Sequence, residues 1–196
     1  MNIKYDEYIE EIISSSISVK KDLLSSNECL DMIEDLAKTC LKSLRDGGKV
    51  IFAGNGGSFG DAQHISAEFT SRFLFDRDPL ASIALGTNSS SMSAIGNDYG
   101  YEFVFSRELS ALGNAIDTFI PITTSGNSPN ILEAINVANK KNIKTIGLTG
   151  SNDGKINKMC KCITVPSKDT GRIQECHILI GHIICGLVEK SYFQKD

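Results

Sequence analysis

The stretch "KVIFAGNGGS", residues 49–58, joins a short apolar run to a turn of small residues. Its β-branched and aromatic side chains favour a buried strand, and a helical pattern follows the turn. The same order recurs in "DTFIPIT" before "TSGNSPN" at 117–130, and in "KTIGLT" before "GSNDG" at 144–154. Because parallel strands need crossover connections, three such units predict a parallel sheet with helices on both faces.

Two further apolar runs complete the predicted sheet, "ASIAL" at 81–85 and "CITVP" at 162–166. The expected fold class is α/β, a three-layer α/β/α sandwich around a parallel five-stranded sheet. Residues 1–47 carry apolar positions at helical spacing, which predicts two helices. We interpret residues 1–47 as an N-terminal helical arm for oligomerisation, and residues 48–196 as the domain that carries the function.

Helix boundaries are indicated by capping residues and small residues. "SSNE" at 25–28 is typical of a helix start, and "DGG" at 46–48 is typical of a helix end. A closing helix is predicted from about residue 172 to residue 193. It is apolar on more than one face, so we expect it to pack against another subunit as well as its own sheet.

Composition excludes several classes of protein. The net charge of −4, without a basic block, argues against a nucleic-acid partner. No apolar run approaches the roughly 20 residues that span a bilayer, so we expect no membrane contact. Acidic residues near the start stand where a secretory signal has basic ones, which favours a cytoplasmic protein.

The six cysteines lack the paired spacing of metal fingers, and they suit reduced, mostly buried thiols. They are Cys29, Cys40, Cys160, Cys162, Cys176 and Cys185. Cys160 and Cys162 form an isolated C-x-C, which is weak as a metal motif.

The segment "TTSGNS", residues 123–128, offers hydroxyls and backbone N–H groups where a strand meets a helix N-terminus. Such a terminus carries partial positive charge and unsatisfied donors, so it suits a phosphate. A capped turn without a ligand is an equally good interpretation, because Ser and Asn are common there. A nucleotide site is less favoured, since "GNGGS" at 54–58 lacks the G-x-G-x-x-G order and no Walker lysine follows.

His64 and Glu68 stand four residues apart on one helix face, close enough to act on one atom or one ion. Solvated helices often carry such a pair without a function, but this one follows a glycine turn at a strand end. On the last helix, Gln174 and His182 are separated by a rise of about 12 Å. They can share a small ligand only by straddling it or by coming from different subunits. That spacing favours a site at an oligomer interface, whereas His177 points elsewhere and is interpreted as a packing residue.

Four separated blocks in order resemble the phosphoheptose isomerases, also called sedoheptulose 7-phosphate isomerases, of the sugar isomerase (SIS) fold. The blocks are "AGNGGSFGDAQHISAEF", "SAIGNDYGYEFVFSRELSALG", "TTSGNSPN" and "GRIQECHILIGHIICGLVE". The resemblance implies conversion of D-sedoheptulose 7-phosphate to D-glycero-D-manno-heptose 7-phosphate. This reaction is the first step toward nucleotide-activated heptoses for surface polysaccharides such as lipopolysaccharide and capsule. It also implies a cytoplasmic homotetramer with active sites between subunits and one Zn²⁺ per subunit.

The resemblance implies a role for each matching residue. Glu68 and His182 match the acid/base pair of the family. The implied zinc ligands are His64, Glu68, Gln174 and His182. The implied substrate contacts are Asn55, Gly56, Gly57, Ser58, Glu68, Asn97, Asp98, Thr123, Thr124, Ser125, Ser128 and Gln174, with the phosphate at Thr123 to Ser128. Gly171 departs from the family, because some relatives carry aspartate there.

The implied chemistry suits these side chains. A ketose becomes an aldose when a proton leaves C1 and another reaches C2 through an enediol, which requires a base and a second proton carrier. Two alternatives stay open. One is a non-catalytic SIS-fold partner of the replication initiator, which lacks the carboxylate and the late histidine that Glu68 and His182 supply here. The other is a sugar-phosphate sensor domain, which the missing DNA-binding segment disfavours.

Overall fold

The computed structural model describes residues 4–193, and within them it contains seven α-helices and five β-strands. The helices are α1 (Tyr5–Ser25), α2 (Asn27–Arg45), α3 (Gly57–Thr70), α4 (Ser89–Asp98), α5 (Val104–Leu112), α6 (Pro129–Lys140) and α7 (Thr170–Phe193). The strands are β1 (Val50–Gly54), β2 (Ser82–Ala84), β3 (Thr118–Thr123), β4 (Lys144–Gly150) and β5 (Lys161–Val165). Two short 3-10 helices are Tyr101–Phe103 and Lys155–Lys158. These bounds confirm the five predicted strands and the three-layer arrangement.

All strand pairs are parallel, and the order across the sheet is β2-β1-β3-β4-β5. In the register, Val50 of β1 lies opposite Ser82 of β2 and Thr118 of β3. The chain leaves β1 toward one edge and β3 toward the other. Their carboxyl ends therefore flank a topological switch point, where open α/β sheets bind ligands.

The sheet separates two apolar cores, and β1 contributes to both because its side chains alternate. Val50 and Phe52 pack in the core with α2, α3 and α7, whereas Ile51 and Ala53 pack in the core with α5 and α6. Every residue of β1 is buried, as expected for a parallel strand covered on both faces.

Local signals in the sequence match the observed ends of the helices. The hydroxyl of Ser26 accepts a hydrogen bond from the backbone N–H of Cys29 (3.2 Å) and so caps α2. Pro129 is the first residue of α6, where its missing N–H costs nothing. The predicted closing helix is α7. The sequence did not indicate α4 and α5.

Helix α1 contacts the rest of the domain through polar groups and exposes a row of apolar side chains. Ser16 donates to the carboxylate of Glu175 (2.6 Å), and Arg172 donates to the carbonyl of Ile12 (2.7 Å). Leu23 is the buried residue of this helix. The division at residue 47 and the oligomerisation role of the arm stay predictions.

Among residues 4–193, no helix is both long and apolar enough to cross a membrane. All six cysteines are free. Cys29, Cys40, Cys176 and Cys185 are buried, and burial raises the pKa of the thiols of the last three. This agrees with the expectation of mostly buried, reduced thiols.

Candidate active site

The turn after β1 is joined to the start of α6 across the switch point. The side-chain amides of Asn55 and Asn130 exchange two hydrogen bonds of 2.9 and 2.8 Å. The hydroxyl of Tyr101 donates to the same Asn55 oxygen at 3.3 Å. Since Asn130 is buried, this reciprocal pair holds Asn55 in one orientation at the mouth of the crevice.

The turn between β3 and α6 presents several hydroxyls beside a helix N-terminus. The hydroxyls of Thr123 and Ser128 lie 3.1 Å apart, and Ser125 accepts from the backbone N–H of Asn127. Ser128 is the N-cap residue of α6, yet its hydroxyl makes no capping hydrogen bond. Its O–H donor and the positive end of the helix are therefore available to an anion.

His64, Glu68 and His182 come together between α3 and α7. The Nε2 atom of His64 lies 3.1 Å from Nε2 of His182 and 3.2 Å from Oε1 of Glu68. One ligand atom from each residue lies within 4.8 Å of the others. The side chain of His64 is 51% exposed and that of Glu68 is 25% exposed, so the cluster opens to the surface.

The two helices approach closely because Gly181 has no side chain. A Cβ atom at Gly181 would lie 2.4 Å from Cδ1 of Ile65, which is far inside van der Waals contact. This approach sets His182, the next residue, beside His64 on the facing helix. The ring of Phe73 stacks on His182 with centroids 5.4 Å apart and so supports the imidazole from the other side.

A buried ion pair supports the loop that carries Phe73. The carboxylate of Glu189 accepts from the backbone N–H groups of Phe73 (2.9 Å) and Leu74 (2.6 Å), and from Nε of Arg77 (2.9 Å). Arg77 also donates to the carbonyl oxygens of Glu68 and Phe69, at the end of α3. The pair thereby ties the end of α3, the following loop and α7 into one unit.

Gln174 lies in the first turns of α7, and its side-chain amide packs against Gly57 at the start of α3. A Cβ atom at Gly57 would lie 2.5 Å from Nε2 of Gln174, so glycine makes this approach possible. The exposed Asn97 and Asp98 form the end of α4 and share a hydrogen bond of 2.8 Å. Two residues separate Asp98 from Tyr101, whose hydroxyl reaches Asn55.

Asp61 lies one turn before His64 on α3. Burial raises the pKa of Asp61 to about 6, while the nearby His64 lowers it. Its Oδ2 atom is buried without a hydrogen-bond partner in the described chain. The sequence analysis did not select this residue, because a single aspartate in a helix carries no signal of burial.

Three other residues around the site were also missed. Asn130 orients Asn55, Tyr101 contacts it, and Phe73 stacks on His182. Each acts through a neighbour that is distant in sequence. A spacing pattern could not reveal them, although Asn130 directly follows Pro129 in the hydroxyl-rich segment.

The donors at this cluster fit a divalent metal ion. Two imidazole nitrogens and one carboxylate oxygen converge, and Zn²⁺ prefers these ligand types in proteins. A single proton on Nε2 of His64 cannot serve both of its neighbours at once. A cation would instead satisfy all three lone pairs, so the side chains present suit a metal.

Comparison with known proteins shows the family to which the chain belongs. The SIS domain family matches residues 8–150. A phosphoheptose isomerase from Aneurinibacillus thermoaerophilus is 53% identical over 191 residues, covering 97% of this chain and 96% of the relative. The chain belongs to the phosphoheptose isomerase family. This membership confirms the resemblance on which the site residues were chosen.

Solved structures of phosphoheptose isomerases share the fold as well. The structure from Neisseria gonorrhoeae is 38% identical with a TM-score of 0.89, and covers 95% of this chain and 100% of its own. The structure from Francisella tularensis is 35% identical with a TM-score of 0.91, and covers 96% of this chain and 100% of its own. The SIS fold predicted from the sequence is therefore confirmed.

Proposed function

We propose that the protein isomerises D-sedoheptulose 7-phosphate to D-glycero-D-manno-heptose 7-phosphate through an enediol, as the first step toward activated heptoses for surface polysaccharide. The observation that carries this proposal is the cluster that Glu68 and His182 form between α3 and α7. A carboxylate and an imidazole are the groups that move protons between adjacent carbons. The names of the relatives support the choice of sugar.

The phosphate end of the sugar would bind at the hydroxyl-rich turn. Thr123, Thr124, Ser125 and Ser128 supply hydroxyls and backbone donors there, and the N-terminus of α6 favours negative charge. Ser58 lies near the first turn of α3, at the opposite side of the switch point. Asn55, Gly56, Gly57, Asn97 and Asp98 would then contact the sugar hydroxyls.

The reacting end of the sugar would lie over the cluster. The carboxylate of Glu68 takes the proton from C1, and His182 delivers a proton to C2. Glu68 would exchange between this role and that of a metal ligand. A second proton passes from the C1 hydroxyl to the C2 oxygen, which leaves an aldehyde at C1. Exchange with solvent then returns Glu68 and His182 to their starting protonation states.

Zinc is proposed as the cofactor, one ion per subunit. His64, Glu68 and His182 would hold it. The fourth ligand would be the partner subunit's Gln174, because the Gln174 of the same chain packs against Gly57, two turns before His64 on α3. When bound, the ion supplies electrophilic stabilisation of the enediolate oxygens. Metal analysis of the purified protein is expected to find one zinc per chain, and chelation is expected to lower turnover. Unchanged turnover in the metal-free protein would refute the zinc proposal alone.

The proposed assembly is a cytoplasmic homotetramer with active sites at subunit interfaces. The exposed apolar row on α1 and the open side of the His64 cluster support it. A partner chain could complete the site from that side. The alternative role, as a non-catalytic partner of the replication initiator, is disfavoured because Glu68 and His182 are both present.

The direct test is incubation with sedoheptulose 7-phosphate, with the aldose product followed by NMR. Fructose 6-phosphate and ribulose 5-phosphate are the control substrates and are expected to react poorly. Glu68→Gln and His182→Gln should each lower turnover about 100- to 10,000-fold, because each removes a proton carrier. Glu34→Gln, on the surface of α2, is the matched control and should keep the wild-type rate. Near-normal turnover in either site variant would contradict the assigned roles.

A further inference from the structure

Cys160 and Cys162 lie apart from the candidate active site and differ from the other cysteines. They stand at the amino end of β5, an outer strand, and pack on the sheet face that carries α5 and α6, whereas the His64 cluster lies between α3 and α7 on the other face. Both are partly exposed, while the other four thiols are buried. Neither thiol takes part in the proposed isomerisation.

The two sulfur atoms face each other. Their Sγ atoms lie 3.9 Å apart, and the Cys162 thiol also points to the carbonyl of Cys160 at 3.6 Å. A disulfide requires about 2.05 Å between sulfurs, a gap that side-chain rotation at both residues can close. Neither sulfur lies within bonding distance of another cysteine among the described residues.

The neighbouring strand leaves room for both sulfurs. Gly147 of β4 pairs directly with Cys162, and a Cβ atom there would lie 3.1 Å from Sγ of Cys162 and 3.5 Å from Sγ of Cys160. Any other residue at Gly147 would crowd the pair. The missing side chain at Gly147 thus leaves a shallow space beside β4, and both thiols lie in it.

The two thiols also differ in acidity. The hydrogen bond from Cys162 and the backbone N–H of Gly147 hold the pKa of Cys160 below its usual range, against the effect of burial. The same interaction raises the pKa of Cys162. Cys160 therefore ionises first, with a protonated thiol beside it. A nucleophilic thiolate beside a resolving thiol is the arrangement found at oxidant-sensitive cysteines.

We propose that Cys160 and Cys162 form a reactive dithiol that a hydroperoxide converts reversibly to a disulfide. The Cys160 thiolate attacks one peroxide oxygen, so that an S–O bond forms, the O–O bond breaks and the alcohol leaves with a proton. The sulfur of Cys162 then attacks Sγ of Cys160, forming the S–S bond and expelling water. Two thiols lose two electrons and two protons, and the peroxide is reduced to an alcohol and water.

The disulfide is expected to be labile. It closes a very short loop on an outer strand, and strained or exposed disulfides have higher reduction potentials than structural ones. Glutathione should therefore reduce it. Because the pair packs on the opposite face of the sheet from α3 and α7, isomerase activity should be the same before and after oxidation.

The test uses the intact protein, hydrogen peroxide as the oxidant and mass spectrometry as the readout. After brief oxidation, unfolding and maleimide labelling, the wild-type chain should carry four labels instead of six, and reduction should restore six. Peptide mapping should link Cys160 to Cys162. Six labels after oxidation, or a link to another cysteine, would overturn the proposal.

Substitution of each cysteine in turn distinguishes the roles of Cys160 and Cys162. In Cys162→Ser, oxidation should stop at a sulfenic acid on Cys160 that dimedone traps. In Cys160→Ser, no disulfide should form, so all five remaining cysteines should take the maleimide label after brief oxidation. Cys29→Ser, at a buried thiol, is the matched control and should still form the disulfide. A disulfide that still formed in either site variant would contradict the proposal.

A measurement on the wild-type protein tests the proposal without relying on the folding of a variant. Phenylarsine oxide binds two sulfurs that can reach one arsenic atom. One equivalent should block both exposed thiols of the folded wild-type protein and leave the four buried thiols unreactive. Failure of one equivalent to block both would show that the sulfurs cannot meet, which would also overturn the proposal.

Discussion

At the residue scale, His177 is a histidine whose pKa is set mainly by burial. It is completely buried, and its Nε2 atom lies 3.3 Å from the carbonyl oxygen of Thr149. Burial lowers the pKa of His177 to about 4, although this hydrogen bond opposes the shift. The structure confirms the interpretation of His177 as a packing residue.

This burial predicts a dependence of stability on pH. The folded pKa of His177 lies below the unfolded value of about 6.5, so the unfolded chain binds the extra proton. The neutral imidazole of His177 contributes fully to the free energy of unfolding above pH 6.5. This contribution is lost as the pH falls toward 4, and the total loss is about 3 kcal/mol. Urea unfolding of the wild type and His177→Gln should show a difference that shrinks with acid. A difference that stays constant from pH 7 to pH 4.5 would contradict this account.

Sequence reasoning at this scale succeeded where a residue acts through its near neighbours. Ser26 as a cap and Pro129 as a first helical residue depend on backbone atoms within a turn. Asn130 and Tyr101 act on Asn55, which is far away in sequence. Their importance could not be predicted, because no local pattern records a contact between distant residues.

At the scale of elements, the Arg77–Glu189 pair is expected to hold the site together. Both side chains are almost fully buried, at 3% and 1% exposed. Glu189→Gln removes the negative charge and leaves the guanidinium of Arg77 unpaired, so the free energy of unfolding should fall by about 3–5 kcal/mol. Urea unfolding measures this change. The loss should also loosen Phe73 from His182 and weaken metal retention.

An exposed ion pair serves as the control for that experiment. Glu34 and Lys38 lie 2.6 Å apart on the surface of α2. Glu34→Gln should change the free energy of unfolding by at most about 1 kcal/mol, because exposed pairs contribute little. If both glutamate variants destabilised the protein equally, the burial argument for Glu189 would fail.

The helices and strands that the sequence predicted share a strong pattern. The five strands are short apolar runs, and α2 and α7 carry long apolar stretches. Helix α4, by contrast, has no buried residue, so its sequence lacks the apolar spacing that a prediction needs. The position of such a helix depends on contacts with neighbouring elements, and its own sequence does not predict it.

At the scale of the whole molecule, α1 presents an apolar row to its surroundings. Tyr5, Ile9, Ile13 and Ile17 recur every four residues and are 49–76% exposed. Soluble monomers rarely expose contiguous apolar surface of this kind, so a second copy of the chain is the expected cover. The row supports the proposed assembly through the helical arm.

Charged residues in this row should disrupt assembly. We expect Ile9→Lys combined with Ile13→Lys to shift the sedimenting species from about four chain masses toward the 21.3 kDa chain. Isomerase activity should fall with it, since the proposed sites lie at interfaces. Leu112→Lys, at an exposed leucine outside the row, is the control and should sediment like the wild type. A fully active monomer would refute the interface proposal.

The sequence by itself determined the strand, turn and helix units, the helix caps and the chemical types gathered in the turns, because these depend on spacing within one element. Tertiary structure alone decided the strand order and the meeting of His64 with His182, which lie 118 residues apart. Their meeting depends on the close packing of α3 against α7 at Gly181. Packing of that kind joins distant surfaces, and a one-dimensional pattern carries no record of which surfaces will touch.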